Sequence, residues 1–200
     1  MRPYRRKDAK AWTRRRVLAC ARALFAEKGF ERTTIRGIAK SAGMSTGAVF
    51  ANFDGKEALC LAVIANDLNL RFEKLQAAAE TPGTVWEIVS AISSADYAYQ
   101  LGQLSFTPLL FESRWIKPSQ LSISSWLRAD RIRIGVLILE ALTQGVRNHE
   151  ICETQLTPLT ADTLWAVHID NYRLAMLDSY DLAKLDKRFS YQAHKILQPG

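Results

Sequence analysis

The chain has 200 residues, 48% of them hydrophobic and 24% charged, with a formal net charge of +7. That length suits one compact domain or a small one joined to a larger one, and that composition supports a substantial core, which excludes a disordered chain. No apolar run approaches the ~20 residues of a membrane helix, and the basic N-terminus lacks the apolar stretch of a signal peptide, so a cytoplasmic protein is expected.

Residues 1–10 carry Arg2, Arg5, Arg6, Lys7 and Lys10 without apolar periodicity and read as a mobile basic arm. From Trp12 to Lys28 the pattern turns helical, with Val17, Leu18, Ala21, Leu24 and Phe25 on one face and Arg14, Arg15, Arg16 and Arg22 mostly off it. Gly29 ends this helix. Thr34 caps a second one, whose apolar residues Ile35, Ile38, Ala39 and Ala42 recur at helical spacing, and Gly43 follows as its C-terminal stop. Ser45 caps a third, with Val49, Phe50 and Phe53 at i, i+1 and i+4. Asp54 then precedes a long helix from Lys56 to about Ala79, carrying the stripe Leu59, Val63, Leu68, Phe72 and Leu75. Two short helices joined by a tight turn and followed at once by a longer one form the grammar of a helix-turn-helix that reads double-stranded DNA.

Thr81-Pro82-Gly83-Thr84 breaks the long helix, and everything beyond it still reads as helix. The expected segments are Thr84 to Gln103, Thr107 to Trp115, Ser119 to about Asn148, Thr160 to about Leu177 and Asp181 to about Leu197. No convincing strand alternation, hairpin dipeptide or internal repeat is present. The fold class is therefore all-α with about nine helices. It divides into an N-terminal three-helix DNA-binding domain with its basic arm (residues 1–58) and a C-terminal helical domain (residues 59–200).

Charge follows the same division. Residues 1–60 hold 14 Lys and Arg against 5 Asp and Glu, a net of +9, whereas the remaining 140 hold 13 against 15, a net of −2. A positive field confined to the segment with the helix-turn-helix suits a polyanion-binding head on a near-neutral body. The three cysteines, Cys20, Cys60 and Cys152, are too few and too far apart for a disulfide framework or a metal-ligand pattern. No Gly-rich phosphate loop, G-x-S-x-G elbow or paired metal-ligand motif occurs, so neither an enzyme nor a cofactor or metal is expected.

The segment RRRVLACARALFAEKGFERTTIRGIAKSAGMSTGAVFANFDGKEALCLAVI, Arg14 to Ile64, resembles the DNA-binding domain of the TetR (tetracycline-repressor) family. The matching elements are LFAEKGF, the paired threonines, IAKSAG, S-T-G-A-x-F-x-N-F and the K-E-A-L opening of the next helix. The late pattern G-V-R-N-H-E-I is also similar to the end of the long helix preceding that family's dimerisation pair. The resemblance implies a homodimer whose recognition helices enter successive major grooves of a palindromic operator, and a C-terminal domain that binds a small-molecule effector and moves the heads.

Carried onto this sequence, the resemblance implies DNA contacts from Thr33, Thr34, Arg36, Ser45, Thr46, Gly47, Phe50, Ala51, Asn52 and Lys56. Thr33, Thr34 and Ser45 would place hydroxyls and helix N–H groups near phosphate. Arg36 would read a guanine edge, the commonest specific contact. Gly47 would permit close approach, Ala48 and Ala51 would touch thymine methyls, and Lys56 would anchor phosphate. Two residues depart from common choices in the family. Phe50 stands where many members have Tyr and cannot make its phosphate hydrogen bond; Asn52 stands where His or Tyr is common.

In the body, the aromatics Trp86, Tyr97, Phe106, Phe111, Trp115 and Trp126 either line a ligand cavity between helices or pack as core. His149 and His168 stand isolated. By resemblance, Leu164, Val167, Tyr172, Ala175, Leu182, Leu185, Phe189 and Ile196 would form an intermolecular four-helix bundle, although the same stripe can also pack internally. The leading reading is a repressor released from its operator by a small molecule; the alternatives are an activator or an architectural DNA-binding protein without a ligand.

Overall fold

The computed structural model describes the backbone of residues 3–102, 121–178 and 181–198, and the side chains of 8–101, 127–177 and 181–198. Eight α-helices lie among the described residues: α1 (Pro3–Arg32), α2 (Ile35–Ala42), α3 (Thr46–Phe50), α4 (Lys56–Ala79), α5 (Val85–Gly102), α6 (Leu121–Arg147), α7 (Pro158–Asp178) and α8 (Leu182–Leu197). A single 3-10 turn, Glu153–Gln155, precedes α7. No described residue is in a strand, and no described helix is long and apolar enough to cross a membrane. The helix expected over Thr107 to Trp115 lies outside the described residues.

The described residues divide into two compact units, 3–68 with 121–123, and 69–102 with 124–178 and 181–198. In the first, α1 breaks at Gly29 (φ 75°), as its sequence pattern requires. Its start differs: the helix begins at Pro3 and takes in the segment read as an arm. Proline is pre-organised for a first helical position, and the Arg- and Lys-rich run behind it has good helix propensity, which apolar periodicity does not register. α2 starts where the Thr34 hydroxyl accepts from the Gly37 N–H at 3.0 Å. It stops at Gly43, whose left-handed backbone (φ 67°, ψ 36°) a side chain would strain. The Gly43 and Met44 N–H groups bond back to the Lys40 and Ala39 carbonyls, satisfying the last turn. Ser45 caps α3 by accepting from the Ala48 N–H. Val17, Ala21, Phe25, Ile38, Val49 and Leu59 are all buried.

The second unit is a helical bundle in which α8 packs on α5 and α7. α5 opens with a capping box: the Thr84 N–H donates to Glu87 Oε2 at 2.7 Å, and the Glu87 N–H donates to the Thr84 hydroxyl. α7 begins at Pro158 rather than at Thr160, because Thr157 caps it by accepting from the Thr160 N–H and Pro158 suits the first helical position.

The packing places most of the expected dimer stripe within the unit itself. Leu164, Tyr172, Ala175, Leu185 and Phe189 are all buried in the unit's own core, and Val167, Leu182 and Ile196 pack against it. An amphipathic pair of helices has one strongly apolar face, and here that face meets α5 and the core of the same chain. The outward faces carry Leu159, Asp162, Ala166, Asp170, Arg173 and Leu177 on α7, and Tyr191 on α8.

Candidate functional site

The head presents one uncommitted surface. On the short helix α3, Val49 is fully buried while Thr46, Gly47, Phe50 and the adjoining Ala51 are exposed. These positions fall at i, i+1, i+4 and i+5, a single helix face. Phe50, with 56% of its surface exposed, shows that this face is not core. Arg36 and Lys40 project from α2, Thr34 and Ser45 stand exposed at the two helix starts, and Arg14, Arg15 and Arg16 are exposed on α1. Thr34 and Ser45 use their oxygens as caps, which leaves the hydroxyl hydrogens available to a phosphate.

Three expected contacts are placed differently. Thr33 is buried at 2% exposure, and its hydroxyl lies within hydrogen-bond distance of the Gly29 carbonyl at 2.7 Å and the Leu24 carbonyl at 3.1 Å. It pins the chain where α1 breaks, and only Thr34 of the pair faces solvent. Asn52 turns back on its own helix: Nδ2 donates to the Ala48 carbonyl at 2.9 Å, and Oδ1 is buried without a partner. It does not offer an adenine-reading amide to the exposed face. Lys56 donates from Nζ to the Phe30 carbonyl at 3.0 Å and the Glu31 carbonyl at 3.4 Å, with the ammonium 4.2 Å from the Phe30 ring centroid. The lysine therefore closes the carbonyl end of α1, where a cation is favoured. Arg14 similarly donates to the Asn52 carbonyl and stacks over Phe53.

The body hides a charged cluster that sequence reading missed. Arg71 on α4 donates from Nε and NH2 to the two oxygens of Asp96 on α5, at 2.5 and 3.0 Å, and from NH1 to Asp130 on α6 at 2.9 Å. Gln100 also donates to Asp96, at 2.6 Å. His168 on α7 joins through Nε2, 2.6 Å from Asp96, while its Nδ1 lies 2.7 Å from the Ser93 hydroxyl. The imidazole is sandwiched between Tyr97 and Trp165, with ring centroids 4.2 and 4.5 Å away. Tyr97 donates its hydroxyl to the His168 carbonyl.

Burial alone would raise the Asp96 pKa, but the Arg71 guanidinium and the His168 hydrogen bond hold it well below the carboxylate range. Asp130 shifts the other way. Burial and repulsion from Asp96 outweigh Arg71 and push it up, and its Oδ1 is buried without a partner. Burial raises the Tyr97 phenol to about 12 and the Cys60 thiol to about 12, a change that makes the thiol a poor nucleophile. Ser93, His168 and Asp96 are linked in series, yet they are 3%, 1% and 0% exposed. The serine meets Nδ1 and the carboxylate Nε2, and the burial leaves no room for a substrate at the hydroxyl. The arrangement is a core network, not a nucleophilic triad.

Among the expected cavity residues, Tyr97 is a wholly buried wall of this network, and Trp86 is half-buried beside His194. Phe106, Phe111 and Trp115 lie outside the described residues, as does the side chain of Trp126. One signal in the sequence pointed to the network: Arg71 falls in step with Leu68 and Leu75, and Asp96 with Val89 and Ile92, on faces otherwise apolar.

Comparison with known proteins agrees with this geometry. An HTH-type transcriptional repressor of Mycobacterium tuberculosis is 34% identical over 89 residues, 44% of this chain and 46% of that protein, so the match spans about half its length. The HTH-type transcriptional regulator UidR of Escherichia coli is 25% identical over 172 residues, 86% of this chain and 85% of that one. In fold, the fatty acid degradation regulator FadR of Bacillus halodurans superposes with a TM-score of 0.72 at 16% identity, over 90% of this chain and 94% of that one. FadR of Bacillus subtilis, solved in complex with stearoyl-CoA, gives 0.70 at 18% identity, over 92% and 97%. Residues 17–63 match the family model for bacterial regulatory proteins of the tetR type. That match falls on the capped, basic head, whose sequence is similar to the DNA-binding segment of the tetR family of bacterial regulatory proteins.

Proposed function

We propose that this regulator is a homodimeric repressor which binds a two-fold symmetric operator and is released by a small-molecule effector. The observation that carries the reading is the α3 face: exposed, next to the exposed cations of α1 and α2, and free of internal commitments at Thr46, Gly47, Phe50 and Ala51. A dimer sets two such faces about one helical turn of DNA apart, roughly 34–36 Å, which makes the operator palindromic. Support for pairing comes from the outer face of α7, where Leu159, Met176 and Leu177 are 74%, 49% and 80% exposed. A small ligand in the body is supported by the stearoyl-CoA complex of the Bacillus subtilis neighbour. Release needs only that the effector bind a conformation with misspaced heads better than the operator-bound one.

Selection of bound duplexes from random DNA tests the reading. Enrichment of one palindrome, bound by a dimer in sedimentation, with affinity falling steeply on a log–log plot against salt, is the expected result. Recovery of no common sequence, or a flat salt slope, would overturn it.

A further inference from the structure

The α3 face has an unusual chemistry for a reading surface. Its exposed groups are the Thr46 side chain, the Gly47 backbone, the Phe50 ring and the Ala51 methyl. No arginine, lysine or glutamine lies on α3. The one amide nearby, Asn52, is bonded to the Ala48 carbonyl with its oxygen buried. Ser45 Oγ accepts from the Ala48 N–H as the α3 cap, which holds its hydroxyl at the helix start rather than on the α3 face. The bidentate contacts that most strongly read purine edges need side chains that this face does not have, and its one exposed hydroxyl, Thr46, discriminates little because it can bond to any base. What the face does offer is apolar contact, and in the major groove the apolar feature that distinguishes one base pair from another is the thymine C5 methyl.

We infer that α3 selects thymine by its methyl group, with Phe50 as the specificity-determining residue and Ala51 beside it. Phe50 is on the same face as Gly47, and the missing side chain at Gly47 lets the helix come close enough to the groove floor for the ring to touch a methyl. A phenyl ring has no donor with which to bind a phosphate, so its exposure on a basic head is accounted for by an apolar partner on DNA. Each half-site then carries one or two thymines beneath α3, and hydrogen-bonded readout falls to Arg36 on α2.

The inference rests on the proposed operator-binding function, and the test separates the two. The operator is first recovered by selection with the full chain; absence of any specific site would fail the function, not the methyl readout. Thymines in the recovered half-sites are then replaced one at a time by uracil, which keeps every hydrogen bond and removes only the methyl. Loss of one buried methyl-sized contact corresponds to about fourfold weaker binding per half-site and about fifteenfold when both are substituted. Phe50→Ala should bind the thymine and uracil duplexes equally, and its melting profile, with an exposed residue changed, should match the parent. Phe50→Leu should retain part of the discrimination. Specific binding that stays within 1.5-fold on every uracil duplex would overturn the inference. So would a Phe50→Ala variant that keeps the parental thymine preference.

Discussion

Replacing Asp96 by Asn tests the account of the body's core. The carboxylate is fully buried and is within hydrogen-bond distance of Arg71 Nε and NH2, Gln100 Nε2 and His168 Nε2. Asparagine keeps the shape, but it has one acceptor oxygen and turns an N–H₂ group toward donors. It also leaves Arg71, itself 5% exposed, with Asp130 as its remaining carboxylate. Removing one member of a buried ion pair costs about 3–5 kcal/mol, a large share of the roughly 5–15 kcal/mol that holds a folded protein together. The urea midpoint should fall by roughly 1–2 M with the slope unchanged, compared at equal protein concentration.

Asp130→Asn supplies the contrast, because the two carboxylates share Arg71 but differ in satisfaction. Asp130 Oδ2 accepts from Arg71 NH1, while Oδ1 is buried without a partner. An amide there keeps the accepting oxygen and removes a charge whose burial is poorly compensated. The variant should lie within about 1 kcal/mol of the parent or above it. The pH dependences oppose each other. Asp96 is held below its unfolded pKa, so its contribution is present above about pH 4 and is lost as pH falls through the lower folded value. Asp130 is raised, so its contribution is present below about pH 4 and is lost as pH rises through the raised value. The gap between parent and Asp96→Asn should narrow on acidification, and that between Asp130→Asn and parent should widen toward neutrality. A loss under 1 kcal/mol for Asp96→Asn, or equal losses for both variants, would refute the argument.

Gly145→Ala runs against helix propensity, which favours alanine by about 1 kcal/mol. A Cβ at Gly145 would sit 2.7 Å from Val85 Cβ, so thermal melting should show a net loss of about 1–3 kcal/mol, and a gain would disprove the close approach. Lys56→Ala should lower stability by about 1–2 kcal/mol as well as weaken binding to all DNA sequences, because the ammonium donates to two α1 carbonyls. Arg36→Ala should leave the melt within about 0.5 kcal/mol and relax preference at one base position; the reverse pattern would exchange the two roles. Thr33→Val should cost about 1–2 kcal/mol by removing a buried hydroxyl bond while leaving the salt slope of DNA binding unchanged. A shallower slope would restore Thr33 to the phosphate-binding set.

Local signals made the head legible. Thr34, Gly43 and Ser45 act within four residues of themselves, through caps and a left-handed turn, so the sequence states their function directly. The bounds of α4 at Lys56 and Ala79 were equally readable, from Asp54-Gly55 before it and Thr81-Pro82-Gly83 after it. Periodicity in α7 and α8 revealed an apolar face but not what that face meets, and Leu164, Leu185 and Phe189 turned out to meet their own core. Asp96 was illegible for a similar reason: its partners Arg71 and His168 lie 25 and 72 residues away. A charge on an apolar stripe signals that some partner exists and does not say which.

The same contrast between local and distant bonding narrows how the head works. Thr33, Asn52 and Lys56 all belong to the motif that resembles other regulators, yet each is bonded within the chain, at the α1 break, on α3 and at the α1 end. Their sequence signal is in large part a signal of the scaffold that aims α3. Removing Thr33 and Asn52 from the reading set leaves the exposed hydroxyls at Thr34, Ser45 and Thr46, the Arg36 guanidinium, and the apolar face of Phe50 and Ala51. Hydroxyls and exposed cations bind phosphate irrespective of sequence. Under the proposed function, selectivity would fall to few residues, Arg36 on α2 and Phe50 on α3, and these stand on separate helices joined by the turn at Gly43. On that reading, a change in the turn would disturb base discrimination more than it disturbs affinity, because it moves Arg36 and Phe50 relative to each other while the exposed cations of α1 stay in place.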